Sequence, residues 1–243
     1  MSNQTLAIVI PCFNEARRLD AGYFKAIQRA LNCHLIFIND GSTDLTLEVI
    51  DDFDRSISRT TISFNENRGK AEAVKAGIAY AIEHKYEFVG ICDADKAISE
   101  FDVSNAFIEI KQGSNVCMVS SARVPLSGLG VRRKNSRKWI GRMLATLISI
   151  LCSLEVYDPM SPLKVYRTDC LGYISSYKPM TRWFGEVELM LYLRSINKKN
   201  FHIREILMHS WTDRDGGSVR IRMAFRICTE LFRLRKVVKN SSE

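Results

Sequence analysis

Phe88-Val89-Gly90-Ile91-Cys92-Asp93-Ala94-Asp95 is the stretch on which the reading of this chain turns. Its apolar half is too short for an ordinary helix and reads as a buried strand; its end carries two carboxylates one residue apart. Like charges at a strand terminus repel, and any burial strips them of water. A divalent cation is the usual partner. Oxygen ligands alone point to Mg²⁺ or Mn²⁺, which reach a protein through one or two carboxylates and complete their shell with water and substrate phosphate. A lone Asp-x-Asp is also what a chance surface pair looks like, so the rest of the chain decides.

Working backward from that strand, segments 6–10, 35–38 and 61–65 also read as strands, and 88–92 is the fourth. Helices are expected over 19–31, from the turn at Asn39-Asp40-Gly41-Ser42-Thr43-Asp44 to about 53, and over 69–83. Ser42 or Thr43 is the expected cap of the second helix, and Ala71, Val74, Ile78 and Ile82 form the inner face of the third. Apolar, non-alternating strands separated by helices predict an α/β fold whose mainly parallel sheet is covered on both faces. Ligands then sit beyond the carboxyl ends of the strands. Asn14-Glu15, Asp40-Gly41-Ser42, Asn67-Arg68-Gly69-Lys70 and Asp93-Ala94-Asp95 all fall at those ends. Their coincidence lifts the cation reading above chance.

At 243 residues, 46% hydrophobic and 26% charged, the chain can bury one large core. Seven cysteines, odd in number and without a close pair, read as reduced thiols in a cytosolic setting. The first residues show no secretory signal pattern. Of the net charge of +8, two stretches hold a surplus. Between Lys111 and Leu154 stand eight cations and no carboxylate, and from Gly216 onward seven cations face Glu230 and Glu243. Both run into apolar sequence, the pattern of a protein lying on an anionic membrane surface. Neither reads as a spanning helix. No stacking pattern or binding motif supports nucleic acid as the anionic partner.

The four clusters, read in order with Ile10-Pro11-Cys12-Phe13 before the first, resemble the nucleotide-sugar domain of family 2 glycosyltransferases, which have the GT-A fold. Within that family the chain is most similar to the polyprenyl-phosphate sugar synthases, the dolichyl-phosphate β-glucosyltransferase group above all. Glu15-Ala16-Arg17-Arg18-Leu19, Asp93-Ala94-Asp95-Lys96-Ala97, Asp158 with Leu163-Lys164-Val165-Tyr166, Arg182-Trp183-Phe184-Gly185-Glu186-Val187-Glu188-Leu189, and Trp211-Thr212 with Gly217-Ser218 carry this closer likeness. The stretch Asp93-Ala94-Asp95-Lys96-Ala97 resembles that group's Asp-Ala-Asp-Gly-Ala-Thr, and the chain departs from the group at Met160-Ser161-Pro162 in place of Gln-Cys-Gly and at Val219 in place of lysine, with Arg220 one step on. The family's membrane-spanning segments are absent from residues 1–243.

The resemblance implies a GT-A domain over 1–215, with a nucleotide-sugar half at 1–103 and an acceptor half at 104–215, followed by a basic amphipathic segment at 216–243. Pro11, Asn14 and Glu15 would line the nucleotide pocket, with UDP-glucose or GDP-mannose as donor. Asp40 is placed to accept from base or ribose, Asp93 to hold ribose or sugar hydroxyls, and Asp95 to bind Mg²⁺ or Mn²⁺. Lys70 opens a helix and either faces the nucleotide or is an ordinary first-turn surface lysine. The expected reaction is an inverting transfer of a hexose to a polyprenyl or dolichyl phosphate, by a peripheral enzyme on the inner, cytoplasmic face of a membrane. A phosphate acceptor is already anionic at neutral pH and needs cations, Arg123 first and then the cluster Arg132 to Lys138. A saccharide or protein hydroxyl would instead need a base, for which Asp158, Glu186 and Glu188 are the candidates. A non-catalytic nucleotide-sugar-binding protein is the third alternative, favoured by the altered loops at 160 and 219.

Overall fold

The computed structural model describes residues 5–132, 135–181, 184–212 and 230. In the first half, strands and helices alternate as β1 (Leu6–Cys12), α1 (Ala21–Leu31), β2 (His34–Asn39), α2 (Thr46–Asp51), β3 (Arg59–Ser63), α3 (Lys70–Glu83) and β4 (Phe88–Ile91). There follow α4 (Glu100–Gln112), β5 (Met118–Ala122), β6 (Gly130–Arg132), α5 (Asn135–Cys152), β7 (Lys164–Arg167), α6 (Gly185–Asn197), β8 (Ile203–Leu207) and β9 (Ser210–Thr212). The basic segment expected over 216–243 lies outside the described residues except for Glu230, as do Arg133, Lys134, Arg182, Trp183 and Val219.

Seven strands form one sheet in the order β3-β2-β1-β4-β7-β5-β8, and β6 pairs with β9 in a small parallel ribbon. Only β7 runs against its neighbours in the large sheet. The chain adds β2 and β3 on one side of β1, then returns to place β4 on the other. A crevice therefore opens beyond the carboxyl ends of β1 and β4. Because β7 is reversed, its first residue lies at that same edge, with Lys164 opposite both Ile91 and Ser120. The reversal delivers the loop before β7 to the crevice.

Side chains of β1 alternate between two cores. Leu6, Ile8 and Ile10 pack with Phe24 and Ile27 of α1 and Val103, Ala106 and Phe107 of α4. Ala7 and Val9 pack on the opposite face with α3, α6 and the inner stripe of α5. Burying these apolar faces on both sides is what the uninterrupted strand sequences require. Asp20 caps α1 by accepting from the Tyr23 N–H, and Ser99 caps α4 by accepting from the Asp102 N–H. The second helix starts later than expected. Neither Ser42 nor Thr43 caps it; Asp44 Oδ1 accepts from the Thr46 N–H instead, because Ser42 and Thr43 are used to join two loops.

The reduced-thiol expectation fails for one pair. Cys117 and Cys170 form a disulfide, with Cα atoms 5.8 Å apart. They flank the antiparallel neighbours β5 and β7, and a sequence separation of 53 residues hides that adjacency. With one pair oxidised, the cysteines no longer point to a reducing compartment.

Candidate active site

At the edge of β1, β2 and β4, the loops are stitched together by side chains accepting from or donating to backbone. Asn14 adopts φ +56° and accepts from the Thr43 N–H (2.9 Å), while its own N–H donates to Ser42 Oγ (3.1 Å). The Glu15 N–H donates to Thr46 Oγ1 (2.8 Å) and the Ala16 N–H to Asp44 Oδ2 (3.2 Å). Asp40 is buried and accepts from the Arg68 N–H (2.7 Å) and the Gly69 N–H (2.9 Å). Its position at the end of β2 is as expected, but those bonds hold the loop that leads into α3. Gly41 makes this closeness possible. Its φ is +64°, and a Cβ there would stand 2.3 Å from the Glu66 carbonyl carbon.

Gly69 supplies no side-chain cap to α3, so the first N–H groups of that helix open onto the same edge. Pro11 lies two residues beyond Val9, the last residue of β1 paired with β4. Lys70 is not a plain surface lysine: its ammonium reaches Asp93 Oδ1 (2.7 Å) and Glu186 Oε1 (2.6 Å). Desolvation opposes its charge, and the two carboxylates outweigh that penalty and hold its pKa above the usual lysine range. One member of the acidic pair is thus compensated from within the chain. Asp95, the other, accepts from the Ala97 N–H through Oδ1 (3.1 Å).

The corner as a whole is electronegative. Glu15, held by Arg18 at 2.6 Å, has its pKa raised to about 7, first by burial and then, against the pull of Arg18, by Asp95 and Asp93. Burial, with Asp93 the larger of the charge effects, pushes the Cys92 thiol up to about 12. Hard oxygen donors in a negative field fit Mg²⁺ or Mn²⁺. Among the described residues no cluster of three or more His, Cys, Asp or Glu makes a closed cage. These residues would fit a cation held by Asp95 with Asp93 beside it, in an open rather than a closed protein site.

The acceptor half is built on ion pairs. Arg123, at the end of β5, clamps Asp158 through Nε (2.7 Å) and Nη2 (2.9 Å), and Nη2 also donates to the Met160 carbonyl (2.9 Å). The guanidinium lies 5.1 Å from the Trp211 ring centroid. Burial works against both charges, yet the pair holds Asp158 below and Arg123 above their usual ranges, and Asp93 and Glu186 add to the shift on Arg123. That arginine therefore sits in the field of the donor corner.

Lys164, which the sequence pattern does not mark as a site residue, is central. Fully buried, it binds Glu186 Oε2 at 2.5 Å and donates to the Ser161 carbonyl. Burial raises the pKa of Glu186, but Lys164 and then Lys70 overcome it and hold the carboxyl well below its usual range. A continuous path thus runs from Asp93 through Lys70, Glu186 and Lys164 to the loop at 160–162. The one available sequence signal was a lysine between the apolar Leu163 and Val165. Glu188 is spent locally, accepting from the Met180 N–H (2.7 Å), the Thr181 N–H (2.9 Å) and Thr181 Oγ1 (2.7 Å).

The model of glycosyl transferase family 2 matches residues 7–173. The chain belongs to that family. A dolichyl-phosphate beta-glucosyltransferase of Trichomonas vaginalis is 24% identical, covering 94% of this chain and 72% of its own. The Saccharomyces cerevisiae protein of the same description is 26% identical, over 89% of this chain and 69% of the relative. Among solved structures, glucosyl-3-phosphoglycerate synthase from Mycobacterium tuberculosis, crystallised with Mn²⁺, UDP and phosphoglyceric acid, superposes with a TM-score of 0.70 at 16% identity. That match covers 96% of this chain and 79% of the synthase. The fold is GT-A, as the strand-end motifs indicated.

Proposed function

We propose that this family 2 enzyme is an inverting, metal-dependent hexosyltransferase that moves glucose or mannose from UDP-glucose or GDP-mannose to a polyprenyl or dolichyl phosphate. It works as a peripheral protein at the cytoplasmic face of a membrane. The observation that carries the choice of acceptor is the state of the candidate bases. Arg123, Lys164 and Lys70 hold Asp158 and Glu186 ionised with pKa values below their usual ranges, while Glu188, which burial shifts upward, is occupied by three hydrogen bonds from the turn at 180–181. A carboxylate whose pKa is depressed is a weak base. A phosphate monoester needs none, since its second pKa is about 6. The match to dolichyl-phosphate glucosyltransferases over most of the chain supports the same acceptor.

In this reading the loops carrying Pro11, Asn14, Glu15 and Asp40 shape the nucleotide pocket, and Lys70 fixes Asp93 against the donor. A divalent ion at Asp95, once bound, supplies electrostatic relief for the departing diphosphate. Arg123 and Lys70, each already paired with carboxylates, are the cations that stand between donor corner and acceptor loop, where an incoming phosphate would compete for their N–H donors. Attack of an acceptor phosphate oxygen on the anomeric carbon forms one C–O bond as the bond to the diphosphate breaks. The nucleoside diphosphate leaves with that electron pair, so a single displacement inverts the centre.

The test is an assay of the purified chain with each donor and short polyprenyl phosphates, with and without Mn²⁺ or Mg²⁺. Metal-dependent glycosyl phosphate is the expected product. No turnover of any such pair refutes the reading.

A further inference from the structure

α5 is apolar on two opposite sides. Its inner stripe, Ala145, Ile148 and Cys152, is buried against the sheet. Opposite it stand Trp139, Met143, Leu147 and Ile150, spaced so that they line one stripe. Three of them are about seven-tenths exposed: Trp139 at 72%, Met143 at 70% and Ile150 at 71%. A helix apolar all round belongs inside a protein or against lipid. Arg142 is the one charged residue between Trp139 and Leu154, and it leaves the stripe uncovered. Its Nη1 donates to the Tyr157 carbonyl (2.6 Å) and its guanidinium stacks 3.5 Å from the Tyr157 ring centroid.

The charges flanking α5 stand the wrong way round for a helix left in water. Its first turn holds no acid and its last turn no base, while Arg137 and Lys138 stand near its start and Arg132, Arg133 and Lys134 precede it in the sequence. Cations there oppose the helix dipole. An anionic partner relieves that repulsion.

We infer that the outer stripe of α5 is a docking face for an anionic bilayer, with Trp139, Met143, Leu147 and Ile150 entering the headgroup boundary and the basic run at its amino end meeting lipid phosphates. The helix lies in the membrane plane, since among the described residues no helix is long and apolar enough to cross. A second copy of the chain fits less well. It would bring the same carboxylate-free stretch from Lys111 to Leu154 against itself, and the segment beyond Gly216 is also cationic. This inference deepens the membrane part of the function proposed above and rests on it for its purpose. Turnover with a short, water-soluble acceptor remains a separate measure of the transferase reading.

The experiment is vesicle flotation of the full chain, using phosphatidylcholine alone against phosphatidylcholine with about one-third phosphatidylserine. The chain should float only with the anionic vesicles. Met143→Ser with Ile150→Ser, and separately Arg137→Gln with Lys138→Gln, should each weaken partitioning about tenfold without changing the melting temperature. Ile108→Ser, at an exposed apolar residue of α4 on the other side of the sheet, should leave binding unchanged. Three results overturn the inference: no flotation of the natural chain, serine variants that float like it, or light scattering that shows a dimer which those serine changes split.

Discussion

The donor corner and the acceptor half solve the same problem, holding polar groups at the edge of a sheet, by different means. Around Asn14, Asp40 and Asp44 the polar groups are satisfied by neighbouring backbone, in bonds of 2.7 to 3.2 Å between consecutive loops. Around Arg123, Lys164 and Glu186 they are satisfied by opposite charges drawn from separate elements, much of it out of contact with water. Local hydrogen bonds cost little to lose one at a time. A buried ion pair behaves otherwise, because removing one partner strands the other.

The largest effect should therefore come from the acceptor half. Glu186→Gln removes the counter-charge of fully buried Lys164 and one partner of Lys70, and Asp158→Asn strands Arg123; each should cost about 3–5 kcal/mol in denaturant unfolding. A double-mutant cycle on Arg123 and Asp158 should show strong coupling. Losses below about 1 kcal/mol, as for surface pairs, would erase the contrast between the two regions. The ion pair also removes a distinction available on paper. Substituting Asp158 no longer tests a base separately from Arg123 as a clamp, since each change disturbs both.

Next in size is Gly41→Ala, whose added carbon collides with the backbone at Glu66 and Asn67 in a left-handed conformation. It should destabilise by about 1–3 kcal/mol and weaken donor binding while sparing the acceptor half. Protection of the Arg68 and Gly69 amides in hydrogen exchange, both bonded to Asp40, reports the loosening directly.

The contrast explains what could be read in advance. Consecutive loop residues make a motif, so the strands, the crevice and the positions of Asn14, Asp40, Lys70, Asp93 and Asp95 were legible, with boundaries shifted by a few residues. The function of Asp40 as a loop clamp was not, because its partners are backbone N–H groups 28 and 29 residues away. Arg123 and Asp158 were each legible as charged residues, but a sequence separation of 35 concealed that they neutralise each other. Lys164 was concealed for the same reason. Reversal of β7 carries it to the crevice, and no local pattern announces a reversed strand. The Cys117–Cys170 pairing depends on that same strand.

A smaller effect sharpens the electrostatics of the donor corner. The carboxyl of Glu15 has its folded pKa raised to about 7 from an ordinary value near 4.5, so between those values the folded state holds a proton that the unfolded chain has lost. Its contribution is present at pH 4 and falls as pH rises through 7. Glu15→Gln should flatten stability against pH in that window, measured by denaturant midpoints. An unchanged slope would mean that burial and the neighbouring aspartates do not act on it.

Smallest is Lys96→Gly, at the position where the resembling group has glycine. Lys96 takes φ +57° and pairs with Asp20 at 2.8 Å on a partly exposed surface. Relief of the left-handed backbone, about 1 kcal/mol, should slightly exceed the pair that is lost. A small rise in melting temperature is expected, and a fall would show the ion pair to be the stronger.

Metal-dependent donor binding turns most on Asp95. Calorimetric titration of UDP-glucose into the natural chain and into Asp95→Asn, with and without Mn²⁺, measures its role without requiring turnover. Binding should need the metal and should weaken at least tenfold in the variant, about 1.4 kcal/mol, with the melting temperature of the unliganded protein preserved. Equal affinity in both proteins, or affinity indifferent to Mn²⁺ in the natural chain, contradicts the assignment of that corner to the donor diphosphate.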